Sequence, residues 1–142
     1  MSQVRGDDGN ALVEFTYVAI LLMIPLVYLL ITVFQVQRAA FGTTEAARQA
    51  GRAFARSTTI SQAEQRGQAA AALALKDQGV VTGAVTRFSC TEVCLTPGSS
   101  VTVTVTYFVK LPVLGRVFGD HRRGTIRVQA SHTEHVDRFR SG

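Results

Sequence analysis

The sequence predicts an α+β protein: a long N-terminal transmembrane helix that continues as an amphipathic helix, a second short helix and a small three-stranded antiparallel sheet. Three observations predict it. A largely apolar run extends from Phe15 to Phe34, an alanine-rich stretch follows, and beyond Gly79 apolar and polar residues alternate. A chain of 142 residues can form one small core besides a membrane segment, but not two independent cores.

The first element is a membrane-spanning helix, predicted over residues 10–36. Between Ala11 and Phe34, every residue except Glu14, Thr16 and Thr32 is apolar, aromatic or proline. About twenty helical residues cover ~30 Å, the thickness of the hydrocarbon core of a bilayer. A secretory signal peptide would have a shorter apolar stretch followed by a small-residue cleavage site. Here a polar stretch without such a site follows, which favours a membrane span.

The same helix is predicted to continue beyond the membrane, to about Arg56. No proline occurs between Gln35 and Arg56 and helix-forming residues dominate. Small residues make this part slender, so it can pack closely on copies of the chain in a filament stem or on the protein's own sheet. These small residues are Ala39, Ala40, Gly42, Ala46, Ala47, Ala50 and Gly51.

A second helix is predicted from Gln62 to Gln78. The pattern of Ser61 followed three residues later by Glu64 has the form of a capping box, in which each side chain satisfies a free backbone donor at the helix start. Gly79 is a natural terminator, because glycine readily adopts the left-handed conformation that ends many helices.

Three strands follow the second helix. The first is predicted from Val80 to Ser89, the second from Val101 to Val109 and the third from Thr125 to about Val136, because apolar residues alternate with threonine and other polar residues. Thr96-Pro97-Gly98-Ser99 is predicted to be a turn, with proline and glycine where a type II turn prefers them. Residues 111–124 are predicted to be a linker, and residues 137–142 a polar tail.

Charge does not decide on which side of the membrane the C-terminal part lies. Arg5 precedes the span, whereas Arg38, Arg48 and Arg52 follow it, so the positive-inside rule alone places that part in the cytoplasm. Two cysteines in a loop-like setting and a β-rich tail favour export instead. The 14 basic and 7 acidic residues beyond Gln37 give 14 − 7 = +7. Nucleic acid, anionic lipid and anionic wall polymers are conceivable partners, but simple solvation explains the charge better, and nucleic acid is not the expected partner.

The most specific motif lies at the start of the span. Gly9 ends a short charged leader, and Glu14 places a carboxylate five residues later in an otherwise apolar helix. Such a group is costly in a membrane and needs compensation. If the chain is cut after Gly9, the new terminal ammonium of Asn10 could neutralise Glu14 on the same chain or on a neighbour. The alternative is that Glu14 lies at headgroup level, favoured by the helix N-terminus.

This pattern resembles the prepilins of the type IV family, and within it the TadE-like minor pilins (pseudopilins) of tight-adherence pilus systems. The likeness covers most of residues 9–142. It rests on the run from Gly9 to Pro25, on the A-A-R-x-A-G-R-A-F-A stretch of residues 46–55, and on the tail, whose C-x3-C loop, P-G turn, V-T-V-T-V strand and H-V-D-R-F-R ending are similar to the actinobacterial members. One departure is that two acids, Asp7 and Asp8, stand where basic residues are more usual.

The resemblance implies a pilin-like fold and a defined processing step. Residues 1–9 would be a leader that a membrane aspartyl peptidase removes after Gly9, and residues 37–142 an extracytoplasmic domain. Glu14 would guide assembly, and Phe15 belongs to the same motif. The implied partners are the prepilin peptidase, other pilin subunits, the pilus assembly platform and membrane lipid. The implied location is the cell membrane, with possible incorporation into a surface pilus.

Two other groups of residues, three arginines and two cysteines, suggest further contacts. Arg48, Arg52 and Arg56 recur every four residues and form a stripe that could meet an acidic subunit or lipid phosphates, although a solvated helix face explains it as well. Cys90 and Cys94 are expected to form a disulfide if the domain is exported. A zinc site would need two more ligands, and the histidines nearest to each other on the last strand are spaced to point to opposite faces.

We expect no enzymatic activity, no cofactor, no metal site and no small-molecule substrate. The sequence contains neither G-x-S-x-G nor H-E-x-x-H nor a phosphate-binding glycine loop. Two alternatives to a tight-adherence pilin stay open. One is a minor pseudopilin of a secretion or DNA-uptake system, and the other is an uncleaved membrane-anchored module that binds wall polymer.

Overall fold

The computed structural model describes residues 8–111 and 124–139, with side chains from Ala11 onwards. It contains two helices, α1 (Asp8–Ala55) and α2 (Ile60–Asp77), and three strands, β1 (Val85–Cys90), β2 (Ser100–Lys110) and β3 (Thr125–His135). The predicted α+β layout is therefore confirmed. Most of the predicted linker, residues 112–123, lies outside the described residues, as do residues 1–7 and 140–142.

The chain divides into two compact units, Met1–Phe34 and Gln35–Gly142. In the N-terminal unit the described residues form the first part of α1, and the helix runs through Pro25 without a break. Large apolar side chains on this part are exposed on every side of the helix, for example Phe15, Leu22 and Phe34 at 73%, 64% and 66%.

The C-terminal unit contains an antiparallel sheet with the order β1-β2-β3. In the central strand, Val101, Val103 and Val105 are almost fully buried, while the threonines between them point to the other face. Phe88 of β1 and His132 of β3 pair with Val103, so they share the buried face of the sheet. The period of two in the sequence thus separates a core face from an outer face.

The core lies between the sheet, α2 and the second part of α1. Small side chains on α1 allow this packing: Ala46, Ala47 and Ala50 are fully buried, and a side-chain carbon on Gly51 would lie 3.7 Å from Val103. Phe54 is the largest fully buried side chain among the residues that the structure describes. Its ring stacks on Phe88 with the centroids 5.0 Å apart.

Gly79 ends α2 as predicted, through a Schellman motif. The N–H of Val80 donates to the Leu75 carbonyl at 2.9 Å and the N–H of Gly79 donates to the Lys76 carbonyl at 2.9 Å, with Gly79 at φ 76°. Val80 and Leu75 are both buried and supply the apolar contact typical of this motif. The prediction that β1 starts at Val80 is therefore wrong. Val80 belongs to the helix cap, and the strand begins at Val85.

The predicted capping box at Ser61 is also wrong, because the helix begins two residues earlier. Thr59 is the N-cap residue, with the extended backbone that this position requires, and its hydroxyl accepts a hydrogen bond from the Gln62 N–H at 3.3 Å. The Gln62 side chain reaches back and accepts from the hydroxyl of Thr58 at 3.0 Å. This arrangement resembles a capping box, but the Gln62 side chain contacts Thr58, the residue before the cap, and not the N–H of Thr59 itself.

The turn predicted at residues 96–99 is present. The N–H of Ser99 donates to the Thr96 carbonyl at 3.0 Å, and Gly98 has the φ of 86° that the third position of a type II turn requires.

We predict that Thr59→Ala lowers the free energy of unfolding by about 1 kcal/mol, because it leaves an N-terminal amide of α2 without its partner. Ser61→Ala, two residues further on, is the matched control and should leave stability unchanged or slightly higher, because alanine is the better helix former. Denaturant unfolding of the full chain in detergent, followed by circular dichroism, measures both. Equal losses in the two variants would contradict the assignment of Thr59 as the cap.

A second prediction concerns two helical glycines whose surroundings differ. A side-chain carbon on Gly67 would lie 2.7 Å from the Phe88 ring, whereas one on Gly51 would have no neighbour closer than 3.4 Å. Gly67→Ala should therefore destabilise by about 1–3 kcal/mol through overpacking. Gly51→Ala should be neutral or stabilise by up to about 1 kcal/mol, because alanine favours the helix.

The same unfolding assay compares the two alanine variants. A stabilised Gly67→Ala protein would show that α2 can move away from β1 at little cost, and would contradict the close approach described above.

Candidate functional site

The exposed first part of α1 is the most unusual surface of the molecule. The most apolar 18-residue window of the helix contains no buried residue. Apolar exposure on all sides over this length is unfavourable in water and suits a helix surrounded by lipid. Among the described residues this is the only helix long and apolar enough to cross a membrane. It fits a single-pass membrane anchor.

The hydroxyl groups in this segment differ in whether they have a hydrogen-bond partner. The hydroxyl of Thr16 donates to the Leu12 carbonyl at 2.8 Å, and the hydroxyl of Thr32 donates to the Tyr28 carbonyl at 2.9 Å. Both hydroxyls can therefore lie in lipid without a free donor. The hydroxyl of Tyr28 is buried and has no hydrogen-bond partner within the described part of the chain.

Glu14 carries the one carboxylate of this apolar segment. Its side chain is exposed, and it forms no ion pair or hydrogen bond with the described residues. Phe15 beside it is also exposed. Asn10 lies four residues before Glu14 in α1, which is the spacing that brings two residues to neighbouring positions on one helix face. An ammonium group at residue 10 would therefore begin one turn away from this carboxylate.

The peptide bond after Gly9 lies inside α1, because the helix already begins at Asp8. A peptidase that binds an extended backbone would have to unwind this first turn before it could cut. The cost of unwinding is small at a helix end, where the first four N–H groups have no partner within the helix.

The small residues of α1 beyond the membrane segment are mostly used inside the protein. Residues 39, 42, 46, 47, 50 and 51 are buried, and among the seven predicted small positions only Ala40 is exposed. Small residues on α1 were predicted to pack either on copies of the chain or on the protein's own sheet. Their burial shows that most of them pack on the protein's own sheet and second helix.

The basic stripe lies on the opposite, exposed side of α1. Arg48, Arg52 and Arg56 are exposed and form no ion pair with any described carboxylate. The nearest acid along the helix, Glu45, instead accepts a hydrogen bond from the Gln49 side chain at 2.6 Å. The three guanidinium groups are thus available to a partner.

The disulfide between Cys90 and Cys94 is present, with the two Cα atoms 5.5 Å apart. It closes a small ring at the end of β1, where the hydroxyls of Thr91 and Ser100 are 3.1 Å apart and hydrogen-bonded. In the chain-entropy view a ring of this size contributes only about 2 kcal/mol. Its role is to shape the loop between β1 and β2.

The described residues contain no cluster of three or more His, Cys, Asp or Glu side chains that could hold a metal ion. The closest approach to one is a pair on β3, where His132 Nε2 and Glu134 Oε2 are 3.1 Å apart and partly exposed. His135 points to the other face of the strand, as its odd spacing from His132 predicted.

Sequence reasoning missed a cleft that the fold creates between α1 and β2. It brings Arg38 of α1 together with Lys110 of β2, residues that are 72 positions apart in the chain. No local sequence pattern predicts that these two residues line one cleft, because their proximity depends on the direction in which α1 crosses the sheet.

Comparisons of this chain with models of protein families, with curated proteins and with solved structures found no match.

Proposed function

We propose that this chain is a minor pilin or pseudopilin subunit of a tight-adherence, type IV-like pilus. A prepilin peptidase removes residues 1–9, and the mature chain takes part in the assembly or initiation of the pilus. The single observation that carries the proposal is the exposed carboxylate of Glu14, unpartnered within the described residues, in a helix that is otherwise built for lipid.

The spacing of Glu14 from the cut gives it an assembly role. A buried charge without a partner is strongly unfavourable, whereas one that meets an opposite charge fixes the relative position of the two elements. The ammonium group of a mature chain beginning at Asn10 supplies that charge, on the same chain or on a neighbouring subunit. Between subunits, the pair would set how far one helix is displaced along the other, and the apolar side chains around it would provide the contact area.

The C-terminal unit supports a role in binding other subunits. Its described core forms within the unit itself, since the small residues of α1 and the valines of β2 are buried there. Surfaces of this unit that could meet other subunits include the exposed side of α1, with Arg48, Arg52 and the neighbouring Arg56, and the outer face of the sheet. In this proposal the unit lies outside the cytoplasm, where the Cys90–Cys94 disulfide persists.

A second candidate, an uncleaved membrane anchor that presents a binding module, has one observation in its favour. Because α1 begins at Asp8, the Gly9–Asn10 bond lies within a helical turn, and Asp7 and Asp8 are acids that favour a helix N-terminus. If these acids make the first turn more stable than an ordinary helix end, the turn would protect the bond from a peptidase. A pseudopilin of a secretion or DNA-uptake system would share the features of the main proposal, and the assembly machinery encoded alongside it would distinguish the two.

Removal of the leader is the first testable consequence. In native membranes the N-terminal mass should correspond to a chain that begins at Asn10, and the full chain should accumulate when the prepilin peptidase is deleted. Gly9→Val should block the cut, because the peptidase requires a small residue there, whereas Gly6→Val in the same leader should be processed normally. An intact leader in cells that contain the peptidase would refute the processing step and favour the anchored module.

Assembly should depend on the carboxylate of Glu14 separately from processing. Glu14→Gln keeps the size of the side chain and removes its charge, so the leader should still be cut while incorporation into sheared pili falls at least about tenfold. Glu45→Gln, on the same helix beyond the membrane segment, is the matched control and should assemble normally. The ratio of sheared to cell-bound protein on immunoblots measures both.

If the Glu14→Gln protein assembles as well as the unmodified chain, the carboxylate lies at the level of the lipid headgroups and has no role in assembly. In that case subunit register would have to come from another contact.

A further inference from the structure

The cleft between α1 and β2 is a second candidate site, independent of the leader and of Glu14. It has a volume of about 560 Å³ and lies entirely within the C-terminal unit. Two cations line it, Arg38 and Lys110, together with the polar side chains of Gln35, Gln78 and Thr82. No Asp or Glu lines it among the described residues, and Asp77 at the end of α2 lines a neighbouring cleft instead.

The position of the cleft follows from the direction of α1. Gly51, late in the helix, approaches Val103 in the first half of β2. Ala39, earlier in the helix, lines the cleft with Val109 and Lys110 at the end of β2. The helix and the strand therefore run in opposite directions, and the cleft lies at the end of the unit where α1 enters it. Its first lining residue, Gln35, directly follows Phe34, the last residue of the apolar run.

The walls of the cleft combine charge with apolar and aromatic surface. The guanidinium of Arg38 lies beside the loop after α2, with Nη1 3.9 Å from the place that a side-chain carbon on Gly79 would occupy. Tyr107 and Phe108 contribute aromatic surface, and the side chain of Phe108 is about half exposed. Aromatic rings next to basic side chains are typical of the interface between the hydrocarbon core and the headgroups of a bilayer.

We propose that this cleft binds the headgroup of an anionic phospholipid from the membrane that α1 spans. Arg38 and Lys110 contact the phosphate, the polar side chains bind the glycerol part of the headgroup, and the aromatic residues face the start of the acyl chains. A phospholipid fits the site better than a free phosphate ion, because the two cations are surface groups and the apolar wall gives a small ion nothing to contact. The bound lipid would hold the C-terminal unit close to the bilayer surface.

Native mass spectrometry of the full chain, released from non-ionic detergent, tests this assignment. The probes are phosphatidylglycerol and phosphatidylcholine with the same acyl chains. Each cation near a headgroup favours the anionic lipid by about fivefold, so the unmodified protein should prefer phosphatidylglycerol by roughly thirtyfold. Arg38→Gln and Lys110→Gln should each reduce the preference about fivefold, and the double variant should abolish it.

Two matched variants keep the result interpretable. Arg66→Gln/Lys76→Gln removes the same charge from exposed positions of α2 that do not line the cleft, and it should retain the preference. Arg38→Lys/Lys110→Arg exchanges the two cations and should also retain most of it. Equal melting temperatures in detergent confirm that each variant is folded.

Three outcomes would overturn the proposal. The first is a preference that the Arg38→Gln/Lys110→Gln variant keeps, or that the α2 control loses equally. The second is displacement of phosphatidylglycerol by millimolar inorganic phosphate, which would define a site for a free anion. The third is a dimer that disappears only in the cleft variant, which would assign the cleft to a second copy of the chain.

Discussion

The close packing of α1 in the C-terminal unit is the constraint on which the rest of that unit depends. Alanines at 46, 47 and 50 are fully buried, so α1 packs closely on the sheet and on α2, and position 51 has room for no more than a methyl group. Valines of β2 and the stacked rings of Phe54 and Phe88 fill the space beside it. Side chains larger than alanine at these buried positions of α1 would push the helix away from the valines of β2.

The same helix satisfies two different environments along its length. Over its first half the side chains are apolar all round, which suits lipid, and the two threonine hydroxyls are satisfied by the helix's own carbonyls. Over its second half one side is small and buried, and the other carries arginines. The sequence changes character at residues 35–38, where two glutamines and an arginine follow the apolar run. The cleft that we assign to lipid headgroups opens at this same point.

Much of the fold could be predicted because its signals are local. The largely apolar run of twenty residues, the glycine after α2 and the alternation of valine with threonine are each visible in a short stretch of sequence. Two element boundaries were predicted wrongly because a nearby residue took the expected role. Thr59, and not Ser61, is the N-cap residue of α2. Val80 belongs to the C-terminal cap of α2 and not to β1. Of the candidate sites, the motif at Gly9 and Glu14 is linear and could be read directly. The cleft lined by Arg38 and Lys110 could not be predicted, because it depends on how elements distant in the sequence cross in the fold.

The outer face of the sheet has a further consequence for how the strands find their partners. Thr102 lies 2.9 Å from the hydroxyl of Thr133, and Thr104 lies 3.0 Å from that of Ser131, so a row of hydroxyl pairs joins β2 to β3. A repeat of valine and threonine looks the same after a slip of two residues, since every valine would still face the core. The repeat itself therefore cannot define the alignment. For β2 and β3 that information comes from outside the repeat, where the N–H of Val136 donates to the Ser99 carbonyl at 2.8 Å and the N–H of Gly98 donates to the Val136 carbonyl at 3.2 Å.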